Sequence, residues 1–258
     1  MDPAPPPLAD AAFRAALAAG RPIADADLSA VDWDELPGDD ARFSGCLVAD
    51  AVLRAPRLTG ASFEGCRFRR CRFSHAVLHD ATFEDCSFTG PGALGTTFAF
   101  ADLRGARLRR CDMSFCAFEQ SGLHAIAMEG CNLRGARFER SDFARAFGRK
   151  VVAARGSFRD CNLELADLSG LRLAGCTFAR CRLREADLQG CDLTDADLGG
   201  SDLVQANLRD AVLAGADLRG ADIAGLDLTA LAGFAGLRIE QDQQHLLLAA
   251  MGVDVHPG

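Results

Sequence analysis

The feature that most constrains this chain is a large aliphatic residue that returns at every fifth position from Leu183 to Leu228. A small residue stands two positions before each of them, with Leu226 as the exception in this stretch. A period of five matches neither an α-helix nor a flat strand, whose side-chain repeats are about 3.6 and 2 residues. It indicates a solenoid in which each five-residue unit turns one corner and directs one large side chain to the axis.

The same phase runs through most of the chain. Between 43 and 228 there are 38 positions at five-residue intervals, and 35 of them hold Leu, Phe, Val, Ile or Met. Two segments, 101–106 and 216–221, read ADLRGA and show the pattern A(D/N)LxG plainly. This pattern resembles the pentapeptide-repeat family, because few other sequences keep a five-residue phase for so long.

The resemblance implies an all-β fold, a right-handed quadrilateral parallel β-helix in which four pentapeptides form one square coil. Three regions are predicted on this basis. Residues 1–22 are an N-terminal extension with a capping helix over 10–19, for which Asp10 is expected to be the N-cap. Residues 23–235 are the β-helix, and residues 236–258 are a C-terminal helix and dimerisation tail.

Two interruptions, 89–97 and 144–157, are candidate loops. The first loses one large residue, at Ala93, and the second loses two in succession, at Gly148 and Ala153. Two missing core residues would leave a void inside a coil, which favours a projecting loop for 144–157. Both segments keep the five-residue phase, so a degenerate coil remains an open alternative for 89–97.

The eleven cysteines all occupy the small position two residues before a large one. Free cysteine behaves as a small buried hydrophobic residue, so each is predicted to be reduced and to replace alanine in the core. A zinc site would require closer spacing than the CxxxxC found here. No metal ligand is therefore predicted.

No catalytic or cofactor-binding residue is predicted either, and the chain is not expected to be an enzyme. A GxSxG nucleophile motif is absent, and the glycine-rich stretch at 90–95 lacks the Lys-Ser/Thr of a phosphate-binding loop. The net charge of −8 argues against direct binding of nucleic acid. No apolar run is long enough to span a membrane, and the acidic, proline-rich N-terminus favours a cytoplasmic location.

Acidic residues are concentrated towards the C-terminus. Segment 181–228 has 10 acidic and 4 basic residues, net −6. As about two and a half coils it would extend roughly 12 Å, over which duplex DNA carries about seven charges. The outward acidic residues that would carry a DNA-like surface are Asp187, Asp192, Asp197, Asp202, Asp217, Asp222 and Asp227. The alternative is that this acidity only keeps the repeat soluble.

A narrower resemblance concerns the segment 236–255, GLRIEQDQQHLLLAAMGVDV. It is similar to the closing segment of the quinolone-resistance (Qnr-type) and mycobacterial fluoroquinolone-resistance pentapeptide proteins. That similarity implies a tail-to-tail homodimer, here through Leu247, Leu248 and Met251. It also implies a DNA-like dimer that binds bacterial type II topoisomerases, and two loops that contact the enzyme.

The resemblance therefore predicts DNA gyrase or topoisomerase IV as the partner, and protection of that enzyme from quinolones or natural gyrase poisons. The loop contacts would be Arg145, Arg149 and Lys150. The alternative is a pentapeptide-repeat scaffold for a different protein partner.

Overall fold

The computed structural model describes residues 5–90, 92, 94–147, 150–152 and 154–254; for 145–147 and 150–152 it describes the backbone alone. It confirms the predicted fold class. Short parallel strands and isolated bridges join each coil to the next, and they form a right-handed quadrilateral β-helix with a short helix near each end.

The strands are two to four residues long because the chain turns a corner after every pentapeptide. In chain order they are β1 (Ile23–Ala24), β2 (Arg42–Ser44), β3 (Leu47–Ala49), β4 (Val52–Arg54), β5 (Ser62–Glu64), β6 (Arg67–Arg69), β7 (Arg72–Ser74), β8 (Thr82–Glu84), β9 (Thr89–Gly90), β10 (Leu94–Gly95), β11 (Thr97–Ala99), β12 (Arg107–Arg109), β13 (Ala117–Glu119), β14 (Ile126–Glu129), β15 (Arg145–Phe147), β16 (Lys150–Val152), β17 (Gly156–Arg159) and β18 (Thr177–Ala179).

The coils have four faces, numbered here in their order around one coil, starting from the face that contains β3. Face 1 contains β3 and β6, and face 2 contains β4, β7, β11 and β13. Face 3 is built from isolated bridges such as Arg57 with Val77. Face 4 is a sheet of eight strands in the order β1-β2-β5-β8-β12-β14-β17-β18. Paired residues in uninterrupted coils are 20 positions apart, as Phe43 and Phe63 are.

Two antiparallel hairpins leave the coil. Strands β9 and β10 form the first, and the face 2 pairing across it joins Arg72 to Thr97, a separation of 97 − 72 = 25. Strands β15 and β16 form the second, and the face 4 pairing across it joins Ala127 to Ser157, a separation of 157 − 127 = 30. The insertions are therefore five and ten residues long. Whole pentapeptides have left the coil, which is why the phase continues beyond them.

The interior is filled by the large and small positions of each pentapeptide. Phenylalanines of successive coils stack on one another, as Phe43, Phe63 and Phe83 do at ring-centroid distances of 4.8 Å. All eleven cysteines are buried and free, which confirms their predicted place in the core. In the described part of the chain every buried side-chain nitrogen and oxygen has a hydrogen-bond partner.

The N-terminal end is covered by helix α1 (Asp10–Ala18). Phe13 is fully buried and packs against Trp33 and Phe43, at centroid distances of 5.4 and 6.5 Å. The prediction that Asp10 caps the helix is wrong, because the N-cap is Ala9 and makes no side-chain cap bond. Asp10 instead accepts the backbone N–H of Asp32 and pairs with Arg14.

The C-terminal end is covered by three short elements. They are 3-10 helices at Leu228–Ala230 and Gln241–Gln243, followed by helix α2 (Gln244–Ala250). Among the helices of the described residues, none has the length and apolar character that a membrane crossing requires.

Some corners bring a side chain directly over a glycine of the next coil. Gly215 has a φ of +68°, and a methyl group on it would overlap the carboxylate oxygen of Asp195 in the preceding coil. Gly190 has a similar φ of +65°, but a methyl group there would meet nothing within 4 Å. The two glycines therefore share the backbone requirement and differ only in the close approach.

This difference predicts that alanine at these two positions lowers the free energy of unfolding by different amounts. Gly190→Ala should lower the free energy of unfolding by roughly 1–2 kcal/mol, the cost of a side chain at positive φ. Gly215→Ala should lower the free energy of unfolding by about 1–3 kcal/mol more than this, because its methyl group overlaps Asp195. Urea denaturation of both variants, repeated in an Asp195→Ala background, measures the coupling. Equal losses in the wild-type background would show that the close approach costs nothing.

Candidate protein-interaction surfaces

The seven predicted acidic residues lie on all four faces of the last coils. Bridge partners place them in columns: Asp187 on face 2, Asp192 on face 3, Asp197 and Asp217 on face 4, and Asp202 and Asp222 on face 1. Asp227 is exposed and precedes the first C-terminal 3-10 helix. The acidic region therefore surrounds this part of the β-helix and is not confined to one side.

Each of these carboxylates also has a local structural task. Its Oδ1 accepts the backbone N–H of the residue two positions on, with distances from 2.8 Å at Asp227 to 3.2 Å at Asp217 and Asp222. Such a bond closes a turn in the way that makes aspartate and asparagine common at corners. Each carboxylate therefore closes a turn, and lysine in its place would remove a turn bond as well as change the charge.

Asparagine occupies the same position in three other pentapeptides. Asn132, Asn162 and Asn207 each accept the N–H two residues on through Oδ1, at 3.3, 3.0 and 3.3 Å. Asparagine therefore keeps the turn bond and removes the charge.

Two of the seven aspartates are paired with arginine. Asp217 is 13% exposed and lies 2.6 Å from Arg219 and 3.9 Å from Arg238. The hydrogen bond from Arg219 is the main reason that the pKa of Asp217 is lowered to about 2. Asp202 pairs with Arg184 at 3.3 Å. Within the described residues, the other eight acidic side chains of segment 181–228 have no such ion pair.

The predicted basic loop is the second hairpin. Arg145 lies in β15 and Lys150 in β16, and Phe147 is the pairing partner of Lys150. Arg149 lies outside the described residues. This hairpin leaves the coil between Asp142 on face 3 and Ser157 on face 4, whereas the first leaves between faces 1 and 2. The two hairpins therefore project from diagonally opposite corners.

The predicted dimer residues do not share one environment. Leu247 is only 7% exposed and belongs to the core of its own chain, so its assignment to an exposed dimer patch is wrong. Leu248 is half-buried, and Met251 is 49% exposed. Phe234 and Val253, which sequence reasoning missed, are 45% exposed at the same end of the chain. Phe234 lies beyond the last regular repeat, and that position was the signal that could have identified it.

Gln243 attaches the C-terminal tail to the last coil. Its side chain is 6% exposed, and its Nε2 donates to the carbonyl oxygens of Leu218 and Ala221 at 2.8 and 2.7 Å. Its Oε1 accepts the N–H of Glu240 at 2.6 Å. The amide thus supplies the donor that another coil would otherwise give to the Ala221 carbonyl, and it adds a second donor to the Leu218 carbonyl.

Removal of this amide should loosen the tail. Gln243→Ala leaves the Ala221 carbonyl without a donor, while the Leu218 carbonyl keeps the N–H of Ala221. The substitution should therefore lower the free energy of unfolding by about 1–3 kcal/mol. Gln244→Ala, at the exposed neighbouring position, is the control and should change the free energy of unfolding by less than about 0.5 kcal/mol. Urea denaturation measures both variants. Equal stability of the two would contradict the attachment role of Gln243.

The described residues contain no group of three or more His, Cys, Asp or Glu side chains that could hold a metal ion. They offer turn-forming carboxylates, two hairpins and an apolar end, all of which suit binding to a macromolecule.

Comparison with known proteins agrees with this description. The profile of a family described as pentapeptide repeats matches eight copies, within 56–90, 95–124, 161–200 and 191–229. None of the curated protein sequences compared with the chain matches it.

Two solved structures of QnrB1, a plasmid-mediated fluoroquinolone resistance protein, are similar to the chain. A trypsin-treated variant is 25% identical with a TM-score of 0.75, over 82% of this chain and 99% of that one. The full-length protein is 25% identical with a TM-score of 0.71, over 80% of this chain and 100% of that one.

Proposed function

Because the chain belongs to the pentapeptide-repeat family, we propose that it is a non-catalytic, DNA-mimicking protein that binds a bacterial type II topoisomerase. DNA gyrase is the expected partner and topoisomerase IV the related one. Binding would protect the enzyme from quinolones or natural gyrase poisons. The observation that carries this proposal is the ring of unpaired carboxylates around the last coils, on a chain similar in fold to QnrB1.

The number of unpaired carboxylates supports the mimicry. Segment 181–228 has ten acidic residues, and two of them, Asp202 and Asp217, are paired with arginine, which leaves 10 − 2 = 8. Two and a half coils extend roughly 12 Å, and duplex DNA of that length carries about seven charges. A groove that binds DNA by its phosphates would meet a similar charge density here.

The apolar end of the chain supports a second copy as the partner of the tail. Phe234, Met251 and Val253 are large apolar residues that are exposed towards the C-terminus. Leu248 is half-buried, and its carbonyl accepts the backbone N–H groups of Met251 and Val253. A two-fold axis would cover the same patch on both copies. It would also bring two acidic segments together, so that the net charge of −6 is doubled over roughly 25 Å, where DNA carries about fifteen charges.

The second hairpin is proposed as an additional contact through Arg145, Arg149 and Lys150. Its basic sequence differs from the acidic coils that follow, so its contact would be with a different part of the enzyme. We assign drug protection to this contact and binding to the acidic surface.

The acidic surface is tested by exchanging carboxylate for amide without loss of the turn bonds. We expect the fivefold variant D187N, D192N, D197N, D202N and D222N to bind gyrase at least tenfold more weakly at low salt, because opposite charges speed association. The matched control is D27N, D102N, D112N, D142N and D167N, which changes the same turn position in earlier coils. Surface plasmon resonance at two salt concentrations, with a supercoiling assay in the presence of a quinolone, measures both.

The outcomes separate the two candidate functions. Weaker gyrase binding by the C-terminal variant alone supports mimicry by the last coils. Equal gyrase binding by wild type and both variants would reject mimicry and leave the scaffold function, in which acidity only maintains solubility. Circular dichroism and thermal unfolding of both variants establish that the fold is intact.

The dimer is tested at the exposed apolar residues. M251D with V253D should convert the protein from a dimer to a monomer at micromolar concentration, because a buried unpaired charge is costly in an interface. V52D is the control, since Val52 is 46% exposed on face 2, away from this end. Light scattering gives the mass of each. A monomeric wild type at the same concentration would reject the dimer.

A further inference from the structure

Seven of the eleven cysteines form one column inside the β-helix. Each lies one position before a face 1 residue that pairs with the equivalent residue of the next coil. These pairs run from Leu47–Arg67 to Asn162–Arg182, so seven consecutive coils each contribute one thiol. The column consists of Cys46, Cys66, Cys86, Cys111, Cys131, Cys161 and Cys181.

The other four cysteines have no thiol in the corresponding position of an adjacent coil. Thr96 stands between Cys71 and Cys116 in the face 2 column, next to the paired residues 72, 97 and 117. The register places alanine at 196 and glycine at 156 on either side of Cys176. Leucine at 171 and alanine at 211 flank Cys191. These four provide an internal comparison at the same depth.

The seven thiols also share one orientation. Each sulfur lies 3.3–3.7 Å from the carbonyl oxygen of the residue two positions before it. Equivalent side chains in stacked strands repeat at the strand spacing, about 4.8 Å. Successive sulfur atoms are therefore separated by about the coil spacing.

This spacing suits a bridging ion better than a direct bond. A disulfide needs sulfur atoms about 2.05 Å apart, so the coils would have to move together. An ion midway between two sulfurs would be about 2.4 Å from each, close to the zinc–sulfur distance of about 2.3 Å. No group of three or more donors exists among the described residues, so four-coordinate zinc does not fit. A soft ion that accepts two thiolates does, and Cu(I) is such an ion.

We propose that the column of seven cysteines is a binding site for monovalent copper, with each ion held between the sulfur atoms of two successive coils. The ion stays Cu(I), two copper–sulfur bonds form and two sulfur–hydrogen bonds break. Two protons leave to solvent, so the bridged pair carries one negative charge. Six neighbouring pairs exist in the column, of which three can be filled without sharing a sulfur.

Protons compete with copper for these sulfurs. Copper must displace these protons, so retention should increase as the pH rises from 6 to 8. All seven thiols are at most 3% exposed, so loading requires local opening of the coils and is slow.

Three substitutions test the column. C66A, C111A and C161A together leave four column thiols, none of which has a thiol in the next coil. The control C71A, C116A and C191A removes the same number of buried thiols and keeps the column. Alanine is the commonest residue at this small position, at 16 sites in the repeat, so both variants should fold. Circular dichroism and thermal unfolding check this.

The full-length reduced proteins are incubated without oxygen with Cu(I) in dilute acetonitrile and then desalted. Bound copper is measured by atomic absorption and by the ultraviolet thiolate-to-copper absorption band. We expect wild type and control to retain two or more copper ions per chain and the column variant to retain less than one. Equal retention by the two triple variants, or no retention by folded wild type, would overturn the proposal.

Discussion

The backbone hydrogen bonds between successive coils are the interaction on which the rest of the structure depends. The N–H of Asp197 donates to the carbonyl of Cys176 at 3.0 Å, and that of Leu198 donates to the carbonyl of Asp217 at 2.9 Å. A residue in a central coil is thus bound to the coil before it and the coil after it. Such bonds hold equivalent pentapeptides directly above one another, at a spacing of about 4.8 Å.

That register turns single residues into columns. Phenylalanines stack at 4.8 Å, cysteines follow one another through seven coils, and turn-forming aspartates line up on the outside. Asn207 even donates its amide to the carboxylate of Asp187 in the coil above, at 3.0 Å. The same constraint requires both ends to be covered, since an end coil has backbone groups without a partner. Phe13 covers one end and Gln243 the other.

The outward aspartates combine a structural task with a surface charge. A corner needs a short side chain that accepts a nearby N–H, and either aspartate or asparagine supplies it. The choice between them decides the surface charge without changing the fold. The C-terminal coils use mostly aspartate, so their negative charge is carried by residues that the repeat already requires. Asp217 has a further role, because its pairing with Arg219 and Arg238 joins the last coil to the tail.

The sequence by itself determined which side chains enter the core, because inward and outward positions follow from a five-residue period that is local. The burial of all eleven cysteines was predictable on that ground, whereas the all-β fold was implied by the resemblance to the pentapeptide-repeat family. The period could not tell whether 89–97 leaves the coil, because the insertions of five and ten residues preserve the phase. Only the tertiary structure decided which residues stack, since stacking depends on how many pentapeptides remain in each coil. For the same reason it decided that seven thiols form one column, that Leu247 packs inward, and that Asp217 is paired across coils.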